Sequence, residues 1–248
     1  MIDDKWHSFY SNIKDESWPP CPNIEDIVKL PIQIQLEIIK VYLFENRYER
    51  LRNEIAHIDT NISNFLHYIN NIQTLIGYKQ CLMSNSDVML LYSILLNKRP
   101  KNVLEIGRFY GWSTSIIYGA LEDNNYGHLY SVDVHNYISD ELMYIIQDKV
   151  TLINESSKNL LDIDEIKHLK FEVIVIDGDH SYDMVLNDLT QSVELASKEC
   201  WFLMHDIDFE SVDSAINTFV KSRNDIVDCG VYGKRIKLLY KKTVEELN

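Results

Sequence analysis

Positive charge is scarce in this chain of 248 residues. Lys and Arg together number 24 against 38 Asp and Glu, so the formal net charge is −14. A protein this acidic is a poor electrostatic partner for phosphate backbones and for anionic membranes. We therefore expect neither a nucleic-acid partner nor a membrane partner.

Paired cysteines and long apolar runs are missing as well. The 4 cysteines lie far apart and include no CxxC pair, so a disulfide framework or a zinc finger is disfavoured. The longest strongly apolar stretch, Val88 to Leu96, is about half a membrane span. The acidic start is not followed by the apolar segment of a secretory signal. These absences predict a soluble, cytoplasmic protein with reduced thiols.

The first 80 residues are predicted to form a separate helical region. They contain no convincing strand pattern, and a seam of apolar residues recurs at spacings of four and three up to Gly77, which is placed to end the helix. Two interpretations stay open: a long helix that packs on its own domain as a lid, or one that pairs with a second subunit in a homo-oligomer. The seam comprises Leu51, Ile55, Ile58, Ile62, Phe65, Ile69, Ile72 and Ile76.

From residue 81 to residue 248 the chain alternates strand and helix patterns, which predicts an α/β domain. We expect a Rossmann-like, doubly wound, mostly parallel sheet of seven strands that ends in an antiparallel hairpin. Such sheets bind ligands at the carboxyl ends of their strands. Strands are predicted at 102–106, 128–133, 150–154, 172–177, 200–204, 225–229 and 235–241, and helices from Ser84 or Ser86 to about Asn97 and at 112–121, 139–147, 182–197 and 211–221.

A glycine turn follows the first predicted strand, in the run VLEIGRFYGWS. Gly107 and Gly111 allow a tight turn and a close approach of the backbone to a ligand, and Glu105 stands two residues before the first glycine. The GxGxxG of a dinucleotide site and the GK[ST] of a P-loop are both absent. Taken alone, the two glycines are also compatible with simple loop geometry.

The ends of the next two strands carry polar residues that suit a nucleoside. Asp133 ends the second strand, where an acid can accept hydrogen bonds from a ribose diol; the alternative is a helix N-cap. The third strand runs into Ser156 and Ser157, small polar residues suited to the edge of an adenine ring. Three strand ends in this order fit a nucleoside-bearing ligand without a diphosphate.

These residues give the chain a resemblance to the class I S-adenosylmethionine-dependent methyltransferases. The run VLEIGRFYGWS resembles their motif I, Asp133 matches the motif II acid, and DKVTLINESS at 148–157 is similar to the adenine-side segment of catechol O-methyltransferase-like enzymes. The resemblance covers about residues 82–241. It implies S-adenosylmethionine as cofactor, with the Ser84 region closing over it. The implied cofactor-binding residues are Glu105, Gly107, Gly111, Ser113, Asp133, Ser156, Ser157 and Asp177.

Acidic residues and histidines follow the fourth and fifth predicted strands. The fourth strand delivers Asp177, with His180 three residues later, and the fifth delivers His205 and Asp206. Adjacent parallel strands lie about 4.8 Å apart, so the two strand ends can converge on one ion. Carboxylate oxygens suit Mg²⁺. The alternative is that both runs only cap the helices that follow them.

The run IDGDHSY, followed by an apolar strand and HDI, resembles the metal-dependent O-methyltransferases that act on macrolide sugars, and their relatives named as cephalosporin hydroxylases. This resemblance implies His180 as general base and Asp177, His205 and Asp206 as the metal site. The relatives carry a carboxylate at the position of His205. We expect Mg²⁺ as the metal. Mn²⁺ and Fe²⁺ are alternatives, because imidazole suits Mn²⁺, Fe²⁺ or Zn²⁺ better than Mg²⁺.

The predicted function is therefore methyl transfer to a hydroxyl of a small molecule, either a glycoside or another secondary metabolite. A methyl sulfonium is already activated, so the enzyme mainly has to position the acceptor oxygen. A divalent ion would lower the pKa of the acceptor hydroxyl, and His180 would accept its proton. Tyr110, Trp112 and Tyr182 are candidates for the acceptor pocket. The alternatives are a non-catalytic S-adenosylmethionine-binding module and a metal-independent N-methyltransferase, whereas an NAD-dependent oxidoreductase is disfavoured.

Overall fold

The computed structural model describes residues 60–232 and 235–242, in which seven strands form one sheet. The strands are β1 (Asn102–Ile106), β2 (His128–Val132), β3 (Val150–Ile153), β4 (Phe171–Ile176), β5 (Ala196–Met204), β6 (Ile226–Tyr232) and β7 (Ile236–Lys241). Their order is β3-β2-β1-β4-β5-β7-β6. The first five run parallel, and β7 is antiparallel to β5 and β6. The predicted seven-stranded, mostly parallel sheet with an antiparallel hairpin is confirmed.

Helices cover both faces of this sheet. They are α1 (Thr60–Ile76), α2 (Asn85–Lys98), α3 (Trp112–Asp123), α4 (Asp140–Ile146), α5 (Tyr182–Leu195) and α6 (Glu210–Lys221), with 3-10 turns at Tyr78–Gln80 and Ser157–Asp162. Successive strand residues point to opposite faces, so Val103 packs in the apolar cluster formed with α1–α4 whereas Leu104 packs in the cluster formed with α5 and α6. None of the helices in the described ranges is long and apolar enough to cross a membrane.

Two strand boundaries differ from the prediction by more than one residue, because of irregular pairing with neighbouring strands. Strand β5 begins at Ala196 rather than at 200, since Ala196 pairs with Phe171 before a register shift. Helix α5 therefore ends at Leu195, two residues early. Strand β6 continues to Tyr232 through a register shift next to Gly230, whose φ is +98°. A bulge at this glycine allows the strand to continue, where the sequence predicted a turn.

Helix α1 packs on its own domain over the part that the structure describes. The Tyr68 hydroxyl donates to the carbonyl of Ser115 at 2.8 Å, and its ring lies where a Cβ on Gly119 would meet it at 2.8 Å. Ile69 and Ile72 are both only 2% exposed. Gly77 follows the helix with φ +93° and donates its N–H to Gln73, as expected for the helix end.

The first three seam residues, Leu51, Ile55 and Ile58, lie outside the described residues. Pairing of the N-terminal helices with a second subunit therefore stays a prediction.

Candidate active site

A cavity of about 490 Å³ opens at the carboxyl ends of the parallel strands. Its position agrees with the rule for open α/β sheets, and its volume lies in the range of small-molecule sites. Glu105, Gly111 and His205 are not among the residues that line it. The predicted site residues that do line it are Gly107, Ser113, Asp133, Ser156, Ser157, Asp177, His180 and Asp206.

The glycine turn brings the ends of β1 and β4 into backbone contact. Gly107 has φ +85°, and a Cβ there would lie 2.1 Å from the carbonyl oxygen of Asp177. Gly111 has φ +87° and is the N-cap of α3. Both positions therefore require glycine because an L side chain is strained at such φ values, and at Gly107 it would also collide with backbone.

Asp133 holds the glycine turn in place. Its Oδ2 accepts hydrogen bonds from the backbone N–H of Arg108 at 2.9 Å and of Phe109 at 3.1 Å, and its Oδ1 accepts one from His135 at 2.9 Å. The N-cap alternative is wrong because Ser139 caps α4. A carboxylate offers about four lone-pair positions, so Asp133 retains acceptor capacity at the cavity wall.

Glu105 supports the wall from behind. It is fully buried and accepts hydrogen bonds from the hydroxyls of Ser113 at 2.6 Å, Thr114 at 2.7 Å and Ser131 at 2.5 Å. Burial raises its pKa, and the three hydrogen bonds oppose that shift. In this arrangement Glu105 ties β1 to β2 and to the first turn of α3.

Arg108 is a site residue that the sequence analysis missed. It is only 2% exposed, and its guanidinium donates to the carbonyls of Ser131, Ile153 and His135, each at 3.0 Å, and to the side chain of Asn154. These bonds fasten the ends of β2 and β3 beside the cavity. Arginine is ordinarily exposed, so the position of Arg108 in the sequence did not indicate a buried role in the site.

The end of the cavity where the sequence predicts a nucleoside includes the turn after β3. Ser156 caps the 3-10 turn, with its Oγ accepting from the Lys158 N–H at 3.3 Å, and the Ser157 carbonyl accepts from the Asn187 side chain at 3.3 Å. These contacts orient two small polar side chains that line the cavity.

The wall between α1 and α2 includes Leu82 and Met83, which line the cavity. The Trp112 indole donates to the Met83 carbonyl at 3.0 Å, so Trp112 anchors this wall to α3. Of the aromatics predicted for the acceptor pocket, only Trp112 lines the cavity; the Tyr182 hydroxyl instead donates to Thr218 at 3.1 Å.

Tyr110 lies outside the cavity and stacks on Tyr137 at 5.3 Å. Its neighbour Phe109 lines the cavity, is 45% exposed and has φ +49°. A bulky residue at positive φ is an outlier that often marks a functional site, and the sequence carried no signal for it.

His180 faces the cavity between two carboxylates. Its Nε2 lies 3.0 Å from Asp206 Oδ2 and 3.9 Å from Asp177 Oδ1, although it makes no well-aligned hydrogen bond. The ring stacks on Phe209 at 4.9 Å, and the side chain is 40% exposed. Asp177, helped by Asp206, raises the pKa of His180 above its usual value.

His205 is enclosed by carboxylates behind the cavity wall. Its Nδ1 lies 3.1 Å from Asp177 Oδ1 and 2.9 Å from Asp206 Oδ1, and its Nε2 lies 3.3 Å from Asp87 Oδ2. Burial works against the charged ring, but these contacts outweigh it and raise the pKa of His205 to about 11. Burial likewise works to raise the pKa of Asp177, but hydrogen bonds from His180 and His205 lower it to about 2.

Within the described residues, one group of three side chains could bring donor atoms to a metal ion: Asp177, His180 and Asp206, whose donor atoms lie within 4.8 Å of one another. His205 is not part of that group. The group includes the imidazole of His180, the side chain that the sequence predicts as general base. Arg235, which the sequence analysis did not single out, pairs with Asp206 Oδ1. The donor set therefore does not fit a resident metal ion together with His180 as base.

Residues 104–207 match the family model described as methyltransferase domain. A search of curated proteins finds no match. Among solved structures, the chain is similar to an O-methyltransferase from Bacillus cereus in complex with SAH, with a TM-score of 0.58, 14% identity and coverage of 85% of this chain and 100% of that one. It is also similar to the O-methyltransferase TomG from Streptomyces achromogenes, involved in tomaymycin synthesis and solved with SAM, with a TM-score of 0.56, 14% identity and coverage of 86% and 100%.

A third similar structure is the SAH-bound methyltransferase PaMTH1 from Podospora anserina, with a TM-score of 0.54, 14% identity and coverage of 78% of this chain and 96% of that one. At such identities the similarity establishes the fold alone. Residues 104–207 therefore match a methyltransferase domain, and the chain has the fold of these SAM- and SAH-bound methyltransferases.

Proposed function

We propose that this chain is an O-methyltransferase that methylates a hydroxyl of a small molecule, with His180 as general base. The observation that carries the proposal is that one cavity joins the nucleoside end, at Gly107, Asp133 and Ser157, to the imidazole of His180. A hydroxyl bound between the two ends lies in reach of both a methyl donor and a proton acceptor. The O-methyltransferases similar in fold are consistent with this reaction.

The residues that line the cavity have separate roles in the proposed reaction. The backbone of the glycine turn, fixed by Asp133, provides the close approach that a nucleoside requires. S-adenosylmethionine supplies an activated methyl group, so the protein's main contribution is to place the acceptor oxygen in line with that methyl. His180 accepts the hydroxyl proton as the new C–O bond forms and the C–S bond breaks. Asp206 and Asp177 then stabilise the imidazolium.

The acceptor class is the finer part of the proposal. A glycoside or another secondary metabolite with a free hydroxyl is favoured by the resemblance of the IDGDHSY run and by the modest size of the cavity, about 490 Å³. The net charge of −14 disfavours a nucleic acid. The proposed reaction uses no Mg²⁺, Mn²⁺ or Fe²⁺, because Asp206, one of the predicted ligands, already faces Arg235.

Two measurements test this function: binding of S-adenosylhomocysteine and transfer of a labelled methyl group. Calorimetry should show that S-adenosylhomocysteine binds and NADH does not. The wild type and a His180→Gln variant are then incubated with S-adenosylmethionine labelled in its methyl group and a panel of polyols, glycosides, phenols and amines. We expect label in hydroxyl compounds with the wild type, and a large loss with the variant at unchanged affinity for S-adenosylhomocysteine. Label in amines alone would instead establish an N-methyltransferase.

A further inference from the structure

Side chains of opposite charge face one another beside His180. We define this carboxylate cluster as Asp87, Asp177 and Asp206, which converge on the ring of His205. The side chain of His205 is 1% exposed, and those of Asp87 and Asp206 are 5% and 8% exposed. Buried charges are stable only when they are paired, so the pairing inside this cluster is decisive.

His205 has no free lone pair to offer a metal. A ring nitrogen coordinates through a lone pair, whereas an ionised carboxylate only accepts hydrogen bonds. Both nitrogens of His205 lie at hydrogen-bond distance from carboxylate oxygens, Nδ1 at 3.1 Å from Asp177 and Nε2 at 3.3 Å from Asp87, so both are placed to donate. The ring also lies behind the cavity wall.

Arg235 supplies a second positive charge on the same carboxylate. Its guanidinium pairs with Asp206 Oδ1, while a further nitrogen of the same group donates to the Leu82 carbonyl at 3.2 Å. Asp206 Oδ1 thus faces both His205 and Arg235, and its Oδ2 lies 3.0 Å from His180. A divalent cation between Asp177 and Asp206 would lie next to both cations and be repelled by each.

A contact with α2 also fixes the position of His205. Asp87 lies in the first turn of α2, where its Oδ2 accepts the Ser84 N–H at 3.1 Å as part of a capping box. The same oxygen lies 3.3 Å from His205 Nε2. The ring is therefore held between the start of α2 and the end of β5, and it cannot turn toward the cavity without leaving a buried carboxylate unpaired.

We propose that His205 and Arg235 are built-in counter-ions that take the place of a divalent metal in this site, so that the protein binds S-adenosylmethionine and transfers the methyl group without a metal ion. The inference rests on the proposed function only for the transfer itself. The exclusion of a metal follows from the charges of the cluster and is measured without any turnover.

The experiment is a titration of the full chain with Mn²⁺ in the presence of saturating S-adenosylhomocysteine. Binding is monitored by electron paramagnetic resonance of the free ion and by calorimetry. For the wild type we expect no site with a Kd below about 1 mM. In His205→Asp, a carboxylate replaces the cation, and we expect one Mn²⁺ per chain at least ten times tighter. Asp208→Asn is the matched control, because Asp208 contacts Arg235 at 3.4 Å outside the cluster, and it should behave as the wild type.

One stoichiometric Mn²⁺ in the wild type that is lost in Asp177→Asn would overturn the inference. A folded His205→Asp variant that still fails to bind Mn²⁺ would also overturn it, with folding judged by its S-adenosylhomocysteine affinity and thermal melting. If His205→Asp does not fold, Arg235→Gln replaces it, with the same expected gain in Mn²⁺ affinity. Failure of the wild type to bind S-adenosylhomocysteine would contradict the proposed function and leave the metal result standing.

Discussion

Asp188 provides a quantitative test of the packing beside the cavity. It lies on α5, is 1% exposed, and its Oδ1 has no hydrogen-bond partner in the described part of the chain. Burial raises its pKa from 3.8 to about 6, with a smaller contribution from Asp179, and hydrogen bonds from Ser157 and Asn187 oppose the shift. The charged form is therefore disfavoured in the folded protein, and Asp188→Asn removes that charge.

The magnitude follows from linkage. The folded state keeps its proton up to about pH 6, whereas the unfolded state loses it near pH 4. The unfolded state therefore binds fewer protons between these values, and stability falls as pH rises through that window. A shift of about two units corresponds to about 3 kcal/mol at pH 8, of which roughly 1.4 kcal/mol develops between pH 5 and pH 8.

The assay is urea unfolding of the wild type and Asp188→Asn at several pH values from 5 to 8, above the sequence pI of about 4.9. We expect the variant to gain stability relative to the wild type as pH rises, whatever constant offset the amide introduces. Asp183→Asn is the control on the same helix: Asp183 is exposed in the first turn, and its loss should cost about 0.3–1 kcal/mol. A difference between wild type and Asp188→Asn that does not change with pH would refute the reasoning.

Three further predictions concern the cavity wall and the base. Gly107→Ala should lower the free energy of unfolding in urea by about 2–5 kcal/mol, because the new Cβ would lie 2.1 Å from a backbone oxygen. Gly178→Ala is the control: its Cβ would meet nothing closer than 3.6 Å, so it should cost less than about 1 kcal/mol. Equal costs for the two variants would contradict the close approach at Gly107. His180→Gln should lower kcat by about 10²–10⁴-fold, and wild-type kcat/KM should fall as pH drops through a pKa above 6.5; a flat profile would exclude His180 as base. Asp133→Asn should weaken S-adenosylhomocysteine binding about tenfold or more by calorimetry, since it weakens charge-assisted hydrogen bonds to the glycine turn; unchanged affinity would place the nucleoside elsewhere.

Most element positions followed from local patterns. Strand β1 coincides with the predicted 102–106, because an apolar run between breakers specifies a buried strand without reference to its neighbours. The bounds of β5 and β6 were missed because each depends on a partner strand. Ala196 joins β5 only by pairing with Phe171, and Gly230 becomes a bulge only because β7 continues alongside it.

The amino-acid order alone specified which side chains stand where parallel strands end, and so it predicted Asp133, Asp177 and His180 at one edge of the sheet. It could not specify which groups would face one another there. His205 meets Asp87 across a separation of 118 positions. That contact exists because the packing of α2 beside the end of β5 brings the two side chains together, and no local spacing encodes such an approach.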